Sequence, residues 1–106
     1  MVIISHHHAD HGGGLASFPE ANQHAKVVLR RWADEEYYFR ALFFINTSVG
    51  LDRSVFQSYP ERFDFVDTCT EIFPGIFILT EIRQAYPLPQ GNRYLFIKKG
   101  ATRQYC

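Results

Sequence analysis

The N-terminal stretch from residue 2 to residue 15 reads Val-Ile-Ile-Ser-His-His-His-Ala-Asp-His-Gly-Gly-Gly-Leu, and it carries the strongest signals in the chain. Its apolar Val-Ile-Ile run is typical of a short, buried central strand. The following residues contain four of the five histidines of the chain and an aspartate, in the pattern H-x-H-x-D-H. Neighbouring imidazoles repel one another when protonated, so such a run is costly unless it binds a ligand. We interpret it as a metal-binding loop that follows a strand.

The spacing of these side chains indicates a centre for two metal ions. Neutral imidazole nitrogen and carboxylate oxygen are ligands that zinc, iron(II) and manganese accept. His6 and His8 can turn to one side of an extended loop, and Asp10 and His11 lie just beyond, placed to serve a second ion. Paired ions about 3.5–4 Å apart activate a bridging water in hydrolytic enzymes. The predicted metal ligands are therefore His6, His8, Asp10 and His11, with zinc as the first choice of ion and iron or manganese as alternatives.

Two other interpretations of the histidine run compete with metal binding. An affinity-tag remnant would also place consecutive histidines near the N-terminus. This run, however, is interrupted by Ala9-Asp10 and follows a segment with the pattern of a strand. A solvated polar loop without a ligand is the second alternative. The sequence context favours metal ligation over both.

Two stretches of the chain resemble one family. Residues 4–15 closely resemble the metal-binding signature of the metallo-β-lactamase superfamily, in which a strand ending in Ser or Thr precedes H-x-H-x-D-H and a glycine-rich entry to a helix. Residues 70–82, Thr-Glu-Ile-Phe-Pro-Gly-Ile-Phe-Ile-Leu-Thr-Glu-Ile, resemble the E-I-x-P-G-I strand pair of one subgroup. That subgroup comprises dihydropterin (ribofuranosyl)aminobenzene phosphate synthase-like metallohydrolases.

The resemblance implies an α/β (α+β) fold that corresponds to part of an αββα sandwich, roughly its middle portion. This partial domain is expected over residues 1–99, while residues 100–106 do not resemble the family and form a tail of uncertain origin. The first hairpins of the family have no counterpart before the histidine run, and its later histidine, bridging aspartate and final histidine have none after it. We therefore expect an internal fragment of a longer fold.

The resemblance also implies a mechanism, namely metal-assisted hydrolysis of a small ester, phosphoester or pterin-related substrate. His6 and His8 would hold the first ion, and Asp10 and His11 the second. Asp10 is also the catalytic candidate, since its carboxylate could orient the attacking water or accept its proton. Because the later ligands have no counterpart, we expect the chain alone to carry half a site and to be inactive. The alternative is a non-catalytic metal-binding remnant or assembly fragment that requires a partner chain.

Composition narrows the classes of partner and the expected location. Hydrophobic residues make up 46% and aromatic residues 16% of the 106 residues, which predicts open apolar faces and self-association. The 11 basic and 11 acidic residues cancel, so a nucleic-acid partner is not favoured. No apolar run approaches the roughly 20 residues of a membrane span, so no membrane partner is expected. Two cysteines, Cys69 and Cys106, fit a reducing cytoplasm better than a disulfide framework.

Local patterns predict the remaining elements. Strands are expected over residues 25–29, 63–67, 72–73, 76–82 and 94–97, and helices from residue 15, over residues 31–39 and from Asp52 to residue 59. The three glycines at residues 12–14 are expected to let the backbone pass close to the ions. His24 is expected on the surface. Arg30 and Arg31 follow a strand, where they form a solvated edge or meet a substrate phosphate; the solvated edge is favoured.

Overall fold

The computed structural model describes residues 1–41, 45–81, 85–99 and 102–105, which form a mixed fold of strands and short helices, so the predicted α/β class is confirmed. The helices are α1 (Ala9–Gly12), α2 (Phe18–Ala21) and α3 (Ser54–Ser58), and 3₁₀ turns span Gly13–Ala16, Pro60–Arg62 and Gln90–Tyr94. The strands are β1 (Val2–Ile3), β2 (Val27–Arg30), β3 (Tyr37–Ala41), β4 (Ile45–Ser48), β5 (Phe63–Val66), β6 (Thr70–Phe73), β7 (Ile76–Ile78), β8 (Leu95–Lys99) and β9 (Thr102–Tyr105).

A parallel sheet positions the N-terminal histidines. Its order is β1-β2-β5, and the register pairs Ile3 with Val28 and Val28 with Asp64. The apolar residues of β2 are buried, because β2 is the central strand of this parallel sheet. The buried central position predicted for the Val-Ile-Ile run is wrong, since β1 lies at the edge of the described sheet and Ile3 is 50% exposed. Because the strands are parallel, their carboxyl ends meet at one edge of the sheet. The histidine run follows β1 at this edge.

The core lies between the parallel sheet and the helical segments. Leu15 from the first 3₁₀ turn belongs to this core and Phe18 from α2 packs against it, so the segment after Gly14 covers one face of the sheet. Pro19 lies in the first turn of α2, where its missing N–H has no helical acceptor to lose. The buried members of the core are Leu15, Val27, Leu29, Ala33, Leu51, Val55 and Phe63.

Helix α3 begins close to its predicted start. The Asp52 carboxylate accepts hydrogen bonds from the backbone N–H and the hydroxyl of Ser54, at 2.9 and 2.6 Å. These bonds favour the charged carboxylate and lower the pKa of Asp52. The helix ends at Ser58, just before Tyr59 and Pro60.

A second, antiparallel sheet has the order β4-β3-β8-β9. The helix predicted over residues 31–39 is wrong, because residues 31–35 form a turn and Tyr37–Ala41 is strand β3. Pairing with β4 and β8, including the stacked rings of Tyr38 and Phe96 at 5.6 Å, outweighs the helix propensity of this segment. Strand β9 lies in the predicted tail and pairs with β8, while the domain boundary after residue 99 stays a prediction.

Strands β6 and β7 form a hairpin around Pro74 and Gly75, as predicted. Gly75 has a φ of 81°, in the left-handed region that glycine adopts without a steric penalty. Its N–H donates to Oε1 of Glu71 at 2.8 Å, which closes the turn. Strand β7 ends at Ile78, earlier than predicted; residue 82 of the predicted strand lies outside the described residues. Across the described ranges, no helix has the length and apolar character needed to cross a membrane.

Candidate metal centre

The histidine run extends from the carboxyl edge of the parallel sheet. After β1, the N–H of Ile4 still donates to the carbonyl of Val28 at 3.1 Å, so pairing continues almost to the first histidine. The carbonyl of His8 then accepts the N–H groups of His11 and Gly12, each at 3.0 Å. Asp10 and His11 therefore lie in the single turn of α1 rather than in the predicted loop. The turn forms because the His8 carbonyl satisfies backbone donors that would otherwise have no partner.

Three of the predicted ligands converge. One candidate ligand atom from each of His6, His8 and Asp10 lies within 4.8 Å of the others. The rings of His6 and His8 are edge-to-face, with centroids 5.1 Å apart. This local convergence follows from the sequence spacing, because an extended backbone at His8 leads directly into the helical turn that carries Asp10. Their role as ligands stays a prediction.

His11 lies beside this group. Its ring centroid is 4.0 Å from that of His6, and its Nε2 atom is 3.6 Å from Oδ2 of Asp10. The distances do not divide the four residues into the two predicted pairs, since Asp10 lies close to His6 and His8 as well as to His11. The structure thus places the four residues in one contiguous cluster.

The electrostatics of the cluster favour neutral imidazole at His6. Burial lowers the pKa of His6, and the neighbouring His11 and His8 lower it further, while the Asp10 carboxylate acts in the opposite direction. Neutral imidazole is the form that coordinates a metal ion. Two imidazoles and a carboxylate are a donor set that fits zinc, iron(II) or manganese.

His7 anchors the run to the second sheet, and sequence reasoning missed it. Its ring stacks on that of Tyr37 at the start of β3, with centroids 3.4 Å apart and planes 23° apart. The Tyr37 hydroxyl donates to the carbonyl of Trp32 at 2.9 Å. Burial lowers the pKa of His7 to about 4, with contributions from His8, His6 and Arg30. The sequence held no signal for this contact, because the two rings are far apart along the chain.

Packing in the core accounts for one of the three glycines after the histidines, while their predicted approach to the ions stays a prediction. A Cβ atom at Gly12 would collide with the side chain of Leu51 in the core, whereas nothing lies within 4 Å of such an atom at Gly13 or Gly14. The structure therefore explains Gly12 by packing. At the start of α1, the backbone N–H of Ala9 donates to the carbonyl of Val49 at 2.8 Å, which connects this helical turn to the loop after β4.

The weaker candidates lie apart from the cluster or at its margin. His24 is exposed in a turn, where its N–H donates to Oδ1 of Asn22 at 3.0 Å. Arg31 forms an ion pair with Asp67 at 3.1 Å, and its guanidinium lies 5.9 Å from the ring centroid of Trp32. Arg30 is exposed at the end of β2, and its charge acts on His7.

Comparison with known families agrees with this site. The family described as the metallo-beta-lactamase superfamily matches residues 2–91, a range that includes the parallel sheet and the whole histidine cluster. The chain therefore belongs to the metallo-β-lactamase superfamily. The match identifies the superfamily and not a subgroup within it. A search of curated protein sequences finds no significant match to this chain.

Proposed function

We propose that this chain provides the metal-binding part of a metal-dependent hydrolase. The observation that carries the proposal is the convergence of His6, His8 and Asp10 within 4.8 Å in a member of the metallo-β-lactamase superfamily. These residues would hold a divalent ion, zinc in the first place, and His11 would contribute to the binding of a second. When bound, an ion of this kind polarises an ester or phosphoester and makes water more acidic.

Asp10 has the second role in this proposal. Its side chain is 75% exposed, and one carboxylate oxygen lies 3.6 Å from Nε2 of His11. A carboxylate in this position can accept a proton from water that approaches the cluster from solvent, or orient that water by a hydrogen bond. The His6 ring packs against the His11 ring, which restricts the rotation of the His11 side chain beside Asp10.

The proposed substrate is a small phosphorylated or pterin-related molecule. This part of the proposal is supported by the pattern of residues 70–82, which form the β6–β7 hairpin and resemble the E-I-x-P-G-I strand pair of the dihydropterin-related subgroup. The cytoplasm is the proposed location, since the exposed free thiol of Cys69 suits a reducing compartment.

Calorimetric titration with Zn²⁺ tests the metal site. The double variant His8→Ala, Asp10→Ala should lose affinity by about tenfold or more, because two of the three converging donors are removed. The matched control is His24→Ala, which removes an exposed histidine outside the cluster and should bind Zn²⁺ like the unaltered chain. Far-ultraviolet circular dichroism should show that all three proteins are equally folded. Equal heats for the double variant and the unaltered chain would exclude these residues as the principal ligands.

A further inference from the structure

Arg30 ends the central strand of the parallel sheet at the same edge as the histidine cluster. Its Cα is paired with that of Val66 on β5, and on the other side β1 leads into the histidines. In open parallel sheets, ligands bind at the carboxyl ends of the strands. The side chain of Arg30 is therefore placed at the edge where a substrate of the proposed metal site would approach.

Arg30 is exposed at the end of β2, and the neighbouring strand β1 leads into the histidines. Within the described ranges, Arg30 takes part in none of the ion pairs, whereas the adjacent Arg31 is paired with Asp67 at 3.1 Å. The two arginines therefore differ in their capacity to bind an anion, because an ion pair neutralises the charge of Arg31 and not that of Arg30.

We propose that Arg30 binds the anionic group of the substrate, a phosphate or a carboxylate, next to the cluster of His6, His8 and Asp10. The planar guanidinium presents paired N–H donors that match both kinds of oxyanion. This proposal rests on the proposed metal site, where the substrate would react. Arg30 would bind a different, non-reacting group of the same substrate. Arg30 is accordingly a specificity-determining residue and not a metal ligand.

The test uses the full chain loaded with cobalt(II), whose visible spectrum reports on the metal site, and two probes that share a phenyl ring. Phenylphosphonate and benzoate are titrated calorimetrically into the unaltered chain, Arg30→Gln, Arg30→Lys and the matched control Arg31→Gln. Arg30→Gln should weaken anion binding by about fivefold, the upper end for an exposed ion pair, and Arg30→Lys should restore part of it. Arg31→Gln should stay within about twofold of the unaltered chain.

The outcomes separate this proposal from the metal site itself. A loss confined to phenylphosphonate would support a phosphate-binding role, and a loss confined to benzoate a carboxylate-binding role; weakening of both would support a general anion site. Equal anion affinity in the unaltered chain and Arg30→Gln, with cobalt(II) bound to both, would overturn the role of Arg30 alone. Failure of the unaltered chain to bind cobalt(II) would overturn the metal site and this proposal together. Loss of cobalt(II) binding in Arg30→Gln would show that Arg30 maintains the site and would also overturn the proposal.

Discussion

Strand β2 of the parallel sheet and the β6–β7 hairpin both carry large apolar side chains, yet those of β2 are buried and those of the hairpin are mostly exposed. In β2, Val27 and Leu29 are 0% and 1% exposed, whereas Phe73 and Phe77 of the hairpin are 59% and 56% exposed. The sheet is covered by the segment that contains Leu15, while the core cluster of the described residues includes none from the hairpin. Apolar sequence therefore predicts the strands, but burial depends on a second layer that packs on them.

A surface cavity marks the boundary between the two regions. Its volume is about 350 Å³, and it is lined both by Val28 and Val66 of the sheet and by Thr70 and Ile72 of β6. The hairpin therefore does not fill the space beside this face of the sheet. Substitutions in the two regions should have very different effects on the free energy of unfolding.

The largest effect is expected in the buried sheet. Leu29→Ala removes a fully buried side chain and leaves a cavity, so it should lower the free energy of unfolding by about 2–5 kcal/mol. Phe77→Ala in the hairpin should change it by no more than about 0.5 kcal/mol, because the ring is mostly solvated. Urea unfolding followed by circular dichroism measures both. A similar loss for the two variants would show that Phe77 is packed in solution and would remove the contrast.

An intermediate effect is expected from His7, which connects the histidine cluster to the second sheet. Its pKa is lowered from 6.5 to about 4 in the folded chain, so between these values the unfolded chain binds more protons. Stability should therefore fall as the pH falls from 6.5 towards 4, by about 2 kcal/mol after allowance for the partial exposure of the ring, and this contribution should level off below 4.

The comparison with His7→Phe isolates this contribution. Phenylalanine keeps an aromatic ring for Tyr37 but does not titrate, so its stability should decline less over the same pH range. Urea unfolding of both proteins in a chelator, which removes bound metal, gives the difference and cancels the shared contribution of the carboxylates. Parallel declines in the two proteins would show that His7 is protonated as easily in the folded chain as in the unfolded one.

Sequence reasoning succeeded where the interacting residues are close along the chain. The strand, the H-x-H-x-D-H pattern and the following turn lie within one short segment, so local backbone geometry is enough to bring His6, His8 and Asp10 together. The β6–β7 hairpin is predicted equally well, since adjacent Pro74 and Gly75 mark its turn in the sequence.

The sequence does not predict the structure of segments whose conformation depends on residues far away along the chain. Residues 31–39 have local helix propensity, but pairing of β3 with β8 makes Tyr37–Ala41 a strand. The stacking of His7 on Tyr37 and the contact of Gly12 with Leu51 likewise join segments that are far apart in sequence. No periodicity or spacing within one segment encodes these contacts, because each depends on where a distant segment lies in the folded chain.

The smallest effect on stability, but a visible effect on association, is expected from the exposed hairpin. Phe73 and Phe77 are both more than half exposed, and large exposed apolar side chains that lie together favour self-association. The double variant Phe73→Ser, Phe77→Ser should reduce concentration-dependent association in sedimentation velocity while changing the free energy of unfolding by no more than about 0.5 kcal/mol. Leu88→Ser is the matched control, because Leu88 is 51% exposed outside the hairpin and should not alter association. If the control reduces association as much as the double variant, general surface hydrophobicity and not the hairpin drives it. If neither variant reduces association, the exposed hairpin does not drive self-association. The hairpin and the buried strand β2 would then differ only in how tightly their side chains are packed.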